Sequence, residues 1–480
     1  MSIEDVAWGY LSELVNRSLI QVTSVFYEAS PYTCRIHDLL REVIVLKSRE
    51  QNIYYWTTND VVGPSDKVRR LVVHSSSSNN TQHHQQRPNY CVDHLRSFVT
   101  VGSTNPLLYK MLLSEVLGSS KLLKVLDLGG QETQEEIPNE IFKMFHLKHL
   151  DLYRTRVERV PKAIGKLQHL EYLNLGNTGV RELPMEILKL QKLRYLRVYQ
   201  QVDSSDDDYG SHGFKAPLNM GGLLALEVLD CIDASSGSTM VKEIGKLTQL
   251  RELYITKLRS EDGKELCSSL ANLTSLRELS VDSIGKGDDH EIIDLNHHHP
   301  SLSSSSFLQS LRMLILCGRL EKKPQWVAGL HGLVRIDLDW SRLRSEEDPL
   351  ESLQYLPNLG EINFCGSYQG EGLCFKAGGF LKLKRLELKR LEGLRWMGVE
   401  EGALPRLQKL SLRQLPLLEE LPMGIQHLSQ LQELTLYEMS SEMIEKEESE
   451  DYTRIAHIPE IRIGYYTDDG EWRERQLWEE

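Results

Sequence analysis

Two consecutive stretches, "LKHLDLYRTRVERVPKAIGKLQH" (147–169) and "LEYLNLGNTGVRELPMEILKLQK" (170–192), share one pattern with a period of 23 residues. Both read L-x-x-L-x-L-x-x-T-x-V-x-x-[LV]-P-x-x-I-x-x-L-x-x. In a short strand, alternate side chains face opposite ways, so the fourth and sixth positions of the pattern are buried together. The I-x-x-L tail has helical spacing, as in Ile187 and Leu190, and predicts a short helical turn that closes the other side of each repeat.

The strand signature L-x-x-L-x-L recurs along most of the chain. It begins at 123, 147, 170, 193, 226, 250, 276, 311, 333, 359, 383, 407 and 431, with weaker matches at 68, 95 and 458. Most spacings are 22 to 27 residues, which is typical of leucine-rich repeats. We therefore predict an α/β fold, a leucine-rich-repeat solenoid of about 14–16 repeats whose strands form one parallel-sheet horseshoe.

Two gaps in the ladder exceed the period, at 193→226 and 276→311. They contain the polar stretches "QVDSSDDDYGSHGFKAP" (201–217) and "GKGDDHEIIDLNHHHPSLSSSS" (285–306), which predict loops on one face of the solenoid. Histidine runs at 83–84 and 297–299 have no cysteine or acidic residue at ligand spacing. The sequence therefore predicts no metal site.

The first 50 residues do not fit the repeat. Val6, Tyr10, Leu14 and Val15 fall on one helical face, and "SLIQVTSVFY" then alternates like a strand. A turn at "EASPY" and a return strand at "TCRI" lead into a second helix. Helix, hairpin and helix suggest part of a winged-helix domain, with His37 where the return strand meets the last helix and Asp38 as the expected N-cap. We place this partial winged-helix domain at 1–60 and the repeats at 61–480.

Composition narrows the functional classes. The net charge of −13 argues against nucleic acid as the main partner, because phosphate binding needs clustered Lys and Arg. Seven scattered cysteines, none in a C-x-x-C, and an acidic N-terminus without a signal-peptide pattern predict a cytoplasmic protein. The sequence contains no run of 18 apolar residues, so it predicts no membrane span. The sequence has no G-x-S-x-G or H-E-x-x-H, so we do not expect an enzyme.

Binding is predicted on the concave face of the sheet, where the third, fifth and seventh positions of the strand motif point. Tyr and Arg, which are enriched at interface hot spots, are frequent there, and acidic residues (Asp230, Glu252, Glu278 and Asp282) occupy its middle repeats. The predicted partner-binding residues are Tyr153, Tyr172, Tyr195, Tyr199, Tyr254, Arg335, Arg385, Lys389, Lys409 and Arg413.

The segment "EDVAWGYLSELVNRSLIQV…CRIHDLLREVIVLKSREQN", the L-x-x-L-x-L-x-x-T…LP-x-x-I repeats and the closing "IAHIPEIRIGYYTDDGEW" resemble plant intracellular nucleotide-binding leucine-rich-repeat disease-resistance receptors of the coiled-coil class. The resemblance covers essentially the whole chain and corresponds to the C-terminal part of such receptors. Ile36-His37-Asp38 is similar to the family's Met-His-Asp motif, with Ile in place of Met.

The resemblance implies a plant defence-response protein whose repeats recognise partners and restrain the receptor. It also implies that His37 contacts the β-phosphate of bound ADP and that Asp38 positions the turn. No G-x-x-x-x-G-K-[ST] occurs in this sequence, so no cofactor is expected in this chain, whereas the complete family architecture binds ADP or ATP.

Two alternatives remain open. Besides the favoured interpretation, a recognition and autoinhibitory module of an immune receptor that acts by protein binding, the chain could be a standalone repeat scaffold without a receptor switch. It could also be one portion of an ADP/ATP-switching receptor whose nucleotide domain is missing from it. The expected partners are proteins: a pathogen effector, a guarded host protein or the receptor's own nucleotide-binding domain.

Overall fold

A computed structural model describes residues 3–26, 30–50, 53–57, 68–74, 92–102, 106–132, 134–201, 211–296, 308–320, 322–344, 346, 348–440, 453–467 and 471–477. The histidine runs at 83–84 and 297–299 lie outside these ranges. The chain divides into two compact units, Met1–Arg156 and Val157–Glu480. The proposed boundary between residues 60 and 61 stays a prediction.

The first unit begins with the predicted helix, hairpin and helix. These are α1 (Ile3–Asn16), β1 (Ile20–Phe26), β2 (Ser30–Ile36) and α2 (Asp38–Glu50). The two strands pair antiparallel from Ile20↔Ile36 to Phe26↔Ser30, with an irregular register near Ser24. The helix N-terminus differs by one residue from the prediction. Because α2 begins at Asp38, the residue before the helix is His37, and Asp38 is in the first turn.

The rest of the first unit is a parallel ladder. Its elements are β3 (Ile53–Thr57), β4 (Arg70–His74), β5 (Ser97–Val101), α3 (Pro106–Ser119), β6 (Val125–Asp127) and β7 (His149–Asp151). Each strand pairs with the next one along the chain, and the first residues of β5, β6 and β7 lie in one row, Ser97↔Val125↔His149. The weak sequence matches at 68 and 95 are therefore strands, as predicted.

The second unit repeats this architecture over a longer ladder. Its strands are β8 (Tyr172–Asn174), β9 (Tyr195–Arg197), β10 (Gln200–Gln201), β11 (Ser211–His212), β12 (Val228–Asp233), β13 (Glu252–Leu258), β14 (Glu278–Ser283), β15 (Met313–Cys317), β16 (Arg335–Asp339), β17 (Glu361–Cys365), β18 (Gly372–Phe375), β19 (Arg385–Lys389), β20 (Trp396–Val399), β21 (Lys409–Arg413), β22 (Glu433–Tyr437), β23 (Glu460–Tyr466) and β24 (Trp472–Leu477). Its helices are α4 (Ser238–Ile244) and α5 (Gly263–Leu270).

Twelve of these strands form one parallel ladder in the order β8-β9-β12-β13-β14-β15-β16-β17-β19-β21-β22-β23. The last strand, β24, pairs antiparallel with β23. Two smaller pairs lie outside the ladder, antiparallel β10-β11 and parallel β18-β20. The prediction of a leucine-rich-repeat solenoid built on a parallel sheet is confirmed.

The leucines of the motif form the core. Leu170, Leu173 and Leu175 of one repeat and Leu193 and Leu196 of the next are all fully buried. The predicted I-x-x-L turns are short 3-10 helices, as at Met185–Lys189, where Ile187 is buried. Burying such side chains contributes about 1.5–3 kcal/mol each, and stacking merges them into a single core that no repeat could form alone.

Polar side chains of the motif hydrogen-bond to the backbone at the ends of β6, β7 and β8. Asp127 Oδ1, Asp151 Oδ1 and Asn174 Oδ1 each accept a hydrogen bond from the backbone N–H two residues later, at 2.9, 2.8 and 3.0 Å. The buried hydroxyls of Thr155 and Thr178 donate to the carbonyl oxygens of residues 152 and 175. These bonds satisfy backbone groups where the chain turns away from the sheet, which explains the polar positions of the motif.

Candidate functional site

The side chains opposite the leucine core form what we call the strand face, the third, fifth and seventh motif positions of the ladder from β8 to β23. In β14 the side chains of Leu279 and Val281 are buried, whereas those of Glu278, Ser280 and Asp282 are half-buried on the other side. The structure therefore places the predicted residues of this unit on one continuous face of a parallel sheet.

Aromatic residues begin the strand face. The rings of Tyr172 and Tyr195 lie on adjacent strands with their centroids 5.9 Å apart. The Arg194 guanidinium lies 5.2 Å from the centre of the Tyr195 ring, a cation–π contact. Tyr199 packs over Gly176 so closely that a Cβ added there would lie 2.7 Å from the Tyr199 ring. Three of the predicted tyrosines thus occupy neighbouring repeats.

Tyr153 belongs to the first unit and is described separately. Its backbone N–H donates to Asp151 Oδ1, and the Arg154 guanidinium lies 5.3 Å from the centre of its ring. It is at the seventh motif position of its repeat, the position that Tyr199 has in the second unit.

A charged network comes after the tyrosines. Arg197 Nη1 lies 3.0 Å from Asp230 Oδ2, and Arg197 Nη2 lies 2.8 Å from Glu252 Oε2. Tyr254 donates its hydroxyl hydrogen to Glu278 Oε2 at 2.7 Å. Burial raises the pKa of Asp230, an effect that the Arg197 charge partly offsets, and burial also raises the pKa of Tyr254 beside Glu278 and Glu252. Sequence reasoning named the acids and Tyr254 but omitted Arg197, which is at the fifth position of its repeat.

The cations predicted in the late repeats are interleaved with carboxylates. Arg335 Nη2 lies 2.6 Å from Asp337 Oδ2, and Arg385 Nη1 lies 3.4 Å from Glu361 Oε1. Further along the ladder Lys409 pairs with Glu433 and Arg413 with Glu387, while the Arg413 guanidinium lies 4.9 Å from the centre of the Tyr437 ring. These residues form a surface of mixed charge.

Lys389 departs from the expected exposure. The motif predicts that it points outward at the seventh position, yet it is only 5% exposed, in a row with Cys365 and Arg413. Its neighbours in the sheet cover most of the side chain. Contact between Lys389 and a partner therefore requires those neighbours to move.

His37 and Asp38 lie at the start of α2, and both side chains are exposed. The Leu39 backbone N–H donates a hydrogen bond of 3.3 Å to His37 Nδ1. In a neutral imidazole that accepts at Nδ1, the proton is on Nε2. His37 therefore presents one ring N–H beside a helix N-terminus, an arrangement that suits an anionic oxygen.

One group of described residues could hold a metal ion. Ligand atoms of Asp282, His290 and Cys317 all lie within 4.8 Å of one another. Sequence reasoning missed this group because its members have no fixed spacing. The signal that was available is their repeat position, since Asp282 and Cys317 occupy equivalent places in consecutive strands.

Comparison with known proteins agrees with this architecture. A family model described as "Leucine-rich repeat region" matches residues 94–457, and one described as "Disease resistance protein Winged helix domain" matches residues 1–44. A solved leucine-rich-repeat protein of Leptospira interrogans superposes with a TM-score of 0.50 at 21% identity, covering 87% of this chain and 98% of its own. That likeness concerns the fold.

Curated relatives match nearly the whole chain. "Disease resistance protein RPM1" of Arabidopsis thaliana is 33% identical over 471 residues, which is 97% of this chain and 48% of the relative. "Disease resistance protein RPP8" of the same plant is 28% identical over 476 residues, 96% of this chain and 49% of the relative. The chain thus spans about half the length of these relatives. In the part that the structure describes, no helix combines the length and apolar character needed to cross a membrane.

Proposed function

We propose, on the premise that this chain belongs to the leucine-rich-repeat disease resistance proteins, that it is the recognition and autoinhibitory module of a plant immune receptor. It acts in the cytoplasm by binding protein partners and has no chemistry of its own. The winged-helix segment links the repeats to the receptor switch.

The organisation of the strand face is the observation that supports this proposal. Its Tyr and Arg side chains are held in place by neighbours on adjacent strands, as Tyr195 is by Tyr172 and Arg385 is by Glu361. Fixing such side chains before binding lowers the entropic cost of forming an interface by about 0.5–1.5 kcal/mol for each one. A rigid sheet that carries Tyr and Arg is therefore suited to protein recognition.

The charge pattern indicates the kind of partner. The face alternates cations with carboxylates from β16 to β22, as in Arg335–Asp337 and Arg413–Glu387, and the whole chain carries a net charge of −13. A polyanion such as nucleic acid would meet as many repulsive as attractive charges. A folded protein surface that carries both positive and negative charges can be complementary to the strand face. We propose that the main partner of this face is the receptor's own nucleotide-binding domain. A pathogen effector or a guarded host protein would compete for the same face.

The winged-helix segment contributes the link to nucleotide. With Nδ1 accepting from the Leu39 N–H, the His37 Nε2–H is the ring group that would donate to a phosphate oxygen. Asp38, in the first turn of α2, stabilises the helix start through the helix dipole. These two residues bind ADP only when a nucleotide domain supplies the phosphate-binding loop that this sequence lacks.

The proposal is tested with the segment of the Arabidopsis RPM1 relative that lies outside the aligned region. Binding of this segment to the 480-residue chain is measured by calorimetry with ADP present. The strand-face variant carries Tyr172→Ala, Tyr195→Ala, Arg385→Ala and Arg413→Ala. The control variant carries Lys162→Ala, Lys189→Ala, Lys264→Ala and His331→Ala, four exposed residues that lie off the strand face.

The expected result is binding by the native chain and the control variant, with affinity reduced at least about a hundredfold in the strand-face variant, since each interface hot spot contributes about 2 kcal/mol. Equal binding by both variants would show that recognition uses another surface. A native chain that does not bind the segment would contradict the autoinhibitory role.

A further inference from the structure

Four polar residues lie at or beside the carboxyl ends of β14, β15 and β16, where the second long insertion leaves the ladder. Asp282, Cys317 and Asp339 are neighbours in one row across β14, β15 and β16. His290 comes directly after the 3-10 turn Gly287–Asp289 in the segment between β14 and β15, and its side chain is buried against the row. The repeat register therefore brings together residues that are up to 57 positions apart in the sequence (339 minus 282).

The imidazole of His290 lies between sulfur and oxygen atoms. Its Nε2 lies 3.5 Å from Cys317 Sγ. Its Nδ1 lies 3.0 Å from the buried Ser283 hydroxyl oxygen and 3.7 Å from Asp282 Oδ1. Asp282, His290 and Cys317 each offer one ligand atom, and these three atoms lie within 4.8 Å of one another.

The distance between the sulfur and the ring nitrogen suits a tetrahedral zinc ion. A thiolate sulfur at about 2.3 Å and an imidazole nitrogen at about 2.05 Å from zinc lie about 3.6 Å from each other at the tetrahedral angle. The observed distance from Sγ to Nε2 is 3.5 Å. The Ser283 hydroxyl lies within hydrogen-bond distance of the other ring nitrogen, Nδ1, as a group that orients a metal-binding histidine does.

The electrostatics of the cluster also favour a cation. Asp339 Oδ1 is buried and has no hydrogen-bond partner among the described residues. A buried carboxylate oxygen without a partner costs free energy, and a divalent cation in the same row would remove that cost.

We propose that Asp282, His290 and Cys317 bind one Zn²⁺ ion, with the Asp339 carboxylate supplying a further anionic oxygen from the adjacent strand. A mixed set of sulfur, nitrogen and oxygen ligands selects zinc over the harder Mg²⁺ and Ca²⁺. The ion fixes the segment that carries His290 to the sheet edge, where the Glu291 N–H already donates to the Ile284 carbonyl at 2.7 Å. The proposed role of the site is structural, holding the first residues of the insertion against the strands.

The test uses the 480-residue chain in a background where His83, His84, His297, His298 and His299 are replaced by alanine, so that zinc adsorbed to these histidine runs is not counted as zinc bound at the cluster. Metal is removed with a chelator, and then ZnCl₂ is titrated and bound zinc is measured by mass spectrometry. Replacement by Co²⁺ reports sulfur ligation through the thiolate-to-cobalt charge-transfer band. The site variants are Cys317→Ser and His290→Gln. The controls are Cys374→Ser and His331→Ala, a cysteine and a histidine outside the cluster.

We expect about one equivalent of tightly bound zinc in the background chain and in both controls. Affinity should fall at least about tenfold in each site variant, with loss of the cobalt band in Cys317→Ser. Absence of the band in the background chain, or its persistence in Cys317→Ser, would overturn the proposal.

A variant that fails to fold by circular dichroism is replaced by Asp339→Asn, which keeps the size of the side chain. Weaker zinc binding in a folded Asp339→Asn chain supports the site. Unchanged binding in that chain overturns the contribution assigned to Asp339.

Discussion

Arg197 and Asp230 form a partly buried ion pair across two adjacent strands, with Nη1 3.0 Å from Oδ2, and Asp230 is only 6% exposed. Burial alone would lower the pKa of Arg197, but the Glu252 and Asp230 carboxylates outweigh that effect and raise it. The guanidinium thus stays charged and compensates two carboxylates at once. The main role of Arg197 in the strand face is therefore to stabilise the fold by neutralising these two carboxylates.

Replacing Arg197 by Met should destabilise the second unit by about 3–5 kcal/mol, because it leaves the Asp230 carboxylate buried without its partner. Adding Asp230→Asn should recover most of that loss. The matched control is Lys242→Met, which removes a more exposed pair 3.6 Å from Glu265 and should change stability by less than about 1 kcal/mol. Urea unfolding followed by circular dichroism measures each change. Equal effects of Arg197→Met and Lys242→Met would contradict the argument.

Asp127 gives the first unit a defined pH dependence. Burial raises its pKa to about 6, and the neighbouring Asp151 carboxylate adds to the rise although the Gly129 N–H opposes it. The folded state therefore holds the proton more tightly than the unfolded state does. The free energy of unfolding should fall by up to about 3 kcal/mol as the pH rises from about 4 to about 6.

Asp127→Asn should remove this dependence and stabilise the chain above about pH 6. The equivalent Asn174 shows that an amide oxygen can accept the same hydrogen bond at a strand end. Unfolding midpoints of the two proteins should converge near pH 4 and separate toward pH 7. A difference that stays constant between these values would mean that Asp127 is not the titrating group.

Much of the fold could be predicted because the leucine spacing indicates where each strand lies and which of its two faces is buried. Leu173 and Leu196 are fully buried as the motif requires, and even the weak match at 95 became β5 (Ser97–Val101). The hairpin between α1 and α2 was also readable, since its turn and alternation are local. Features that local periodicity determines were therefore accessible without the structure.

The pairing of side chains across repeats was not accessible in the same way. It depends on the register between strands that an insertion separates by a variable number of residues, as with His290 and Cys317. The motif position of a residue also predicts that its side chain lies on the strand face. It does not predict how much of that side chain the neighbouring residues cover. Lys389 is buried for that reason, and Arg385 shares Glu361 with Arg335.

Gly424 should be intolerant of a side chain, whereas Gly402 should tolerate one better. Both have positive φ, 84° and 87°, where an alanine costs about 1–2 kcal/mol. At Gly424 a Cβ would also overlap the Val399 carbonyl oxygen, while at Gly402 it would meet no atom within 4 Å. Gly424→Ala should therefore cost about 2–5 kcal/mol. Gly402→Ala should cost only the backbone term. Thermal unfolding by circular dichroism compares the two, and equal melting temperatures would show that the carbonyl moves aside at little cost.

The winged-helix segment should be the least protected part of the described chain. Among the described side chains of residues 6–50 none is buried, and Tyr10 and Leu39 are 66% and 70% exposed. Amide opening there breaks few apolar contacts, so its free energy is low compared with that of the leucine-rich core. Hydrogen exchange followed by mass spectrometry should show amides of α1 and α2 exchanging at least about a hundredfold faster than those of β13 and β14.

If the exposed apolar side chains of α1 and α2 dock on a nucleotide domain, adding the RPM1 segment should slow amide exchange in these two helices and leave exchange in the core unchanged. Protection of α1 and α2 equal to that of the core in the chain alone would show that their apolar faces are already covered.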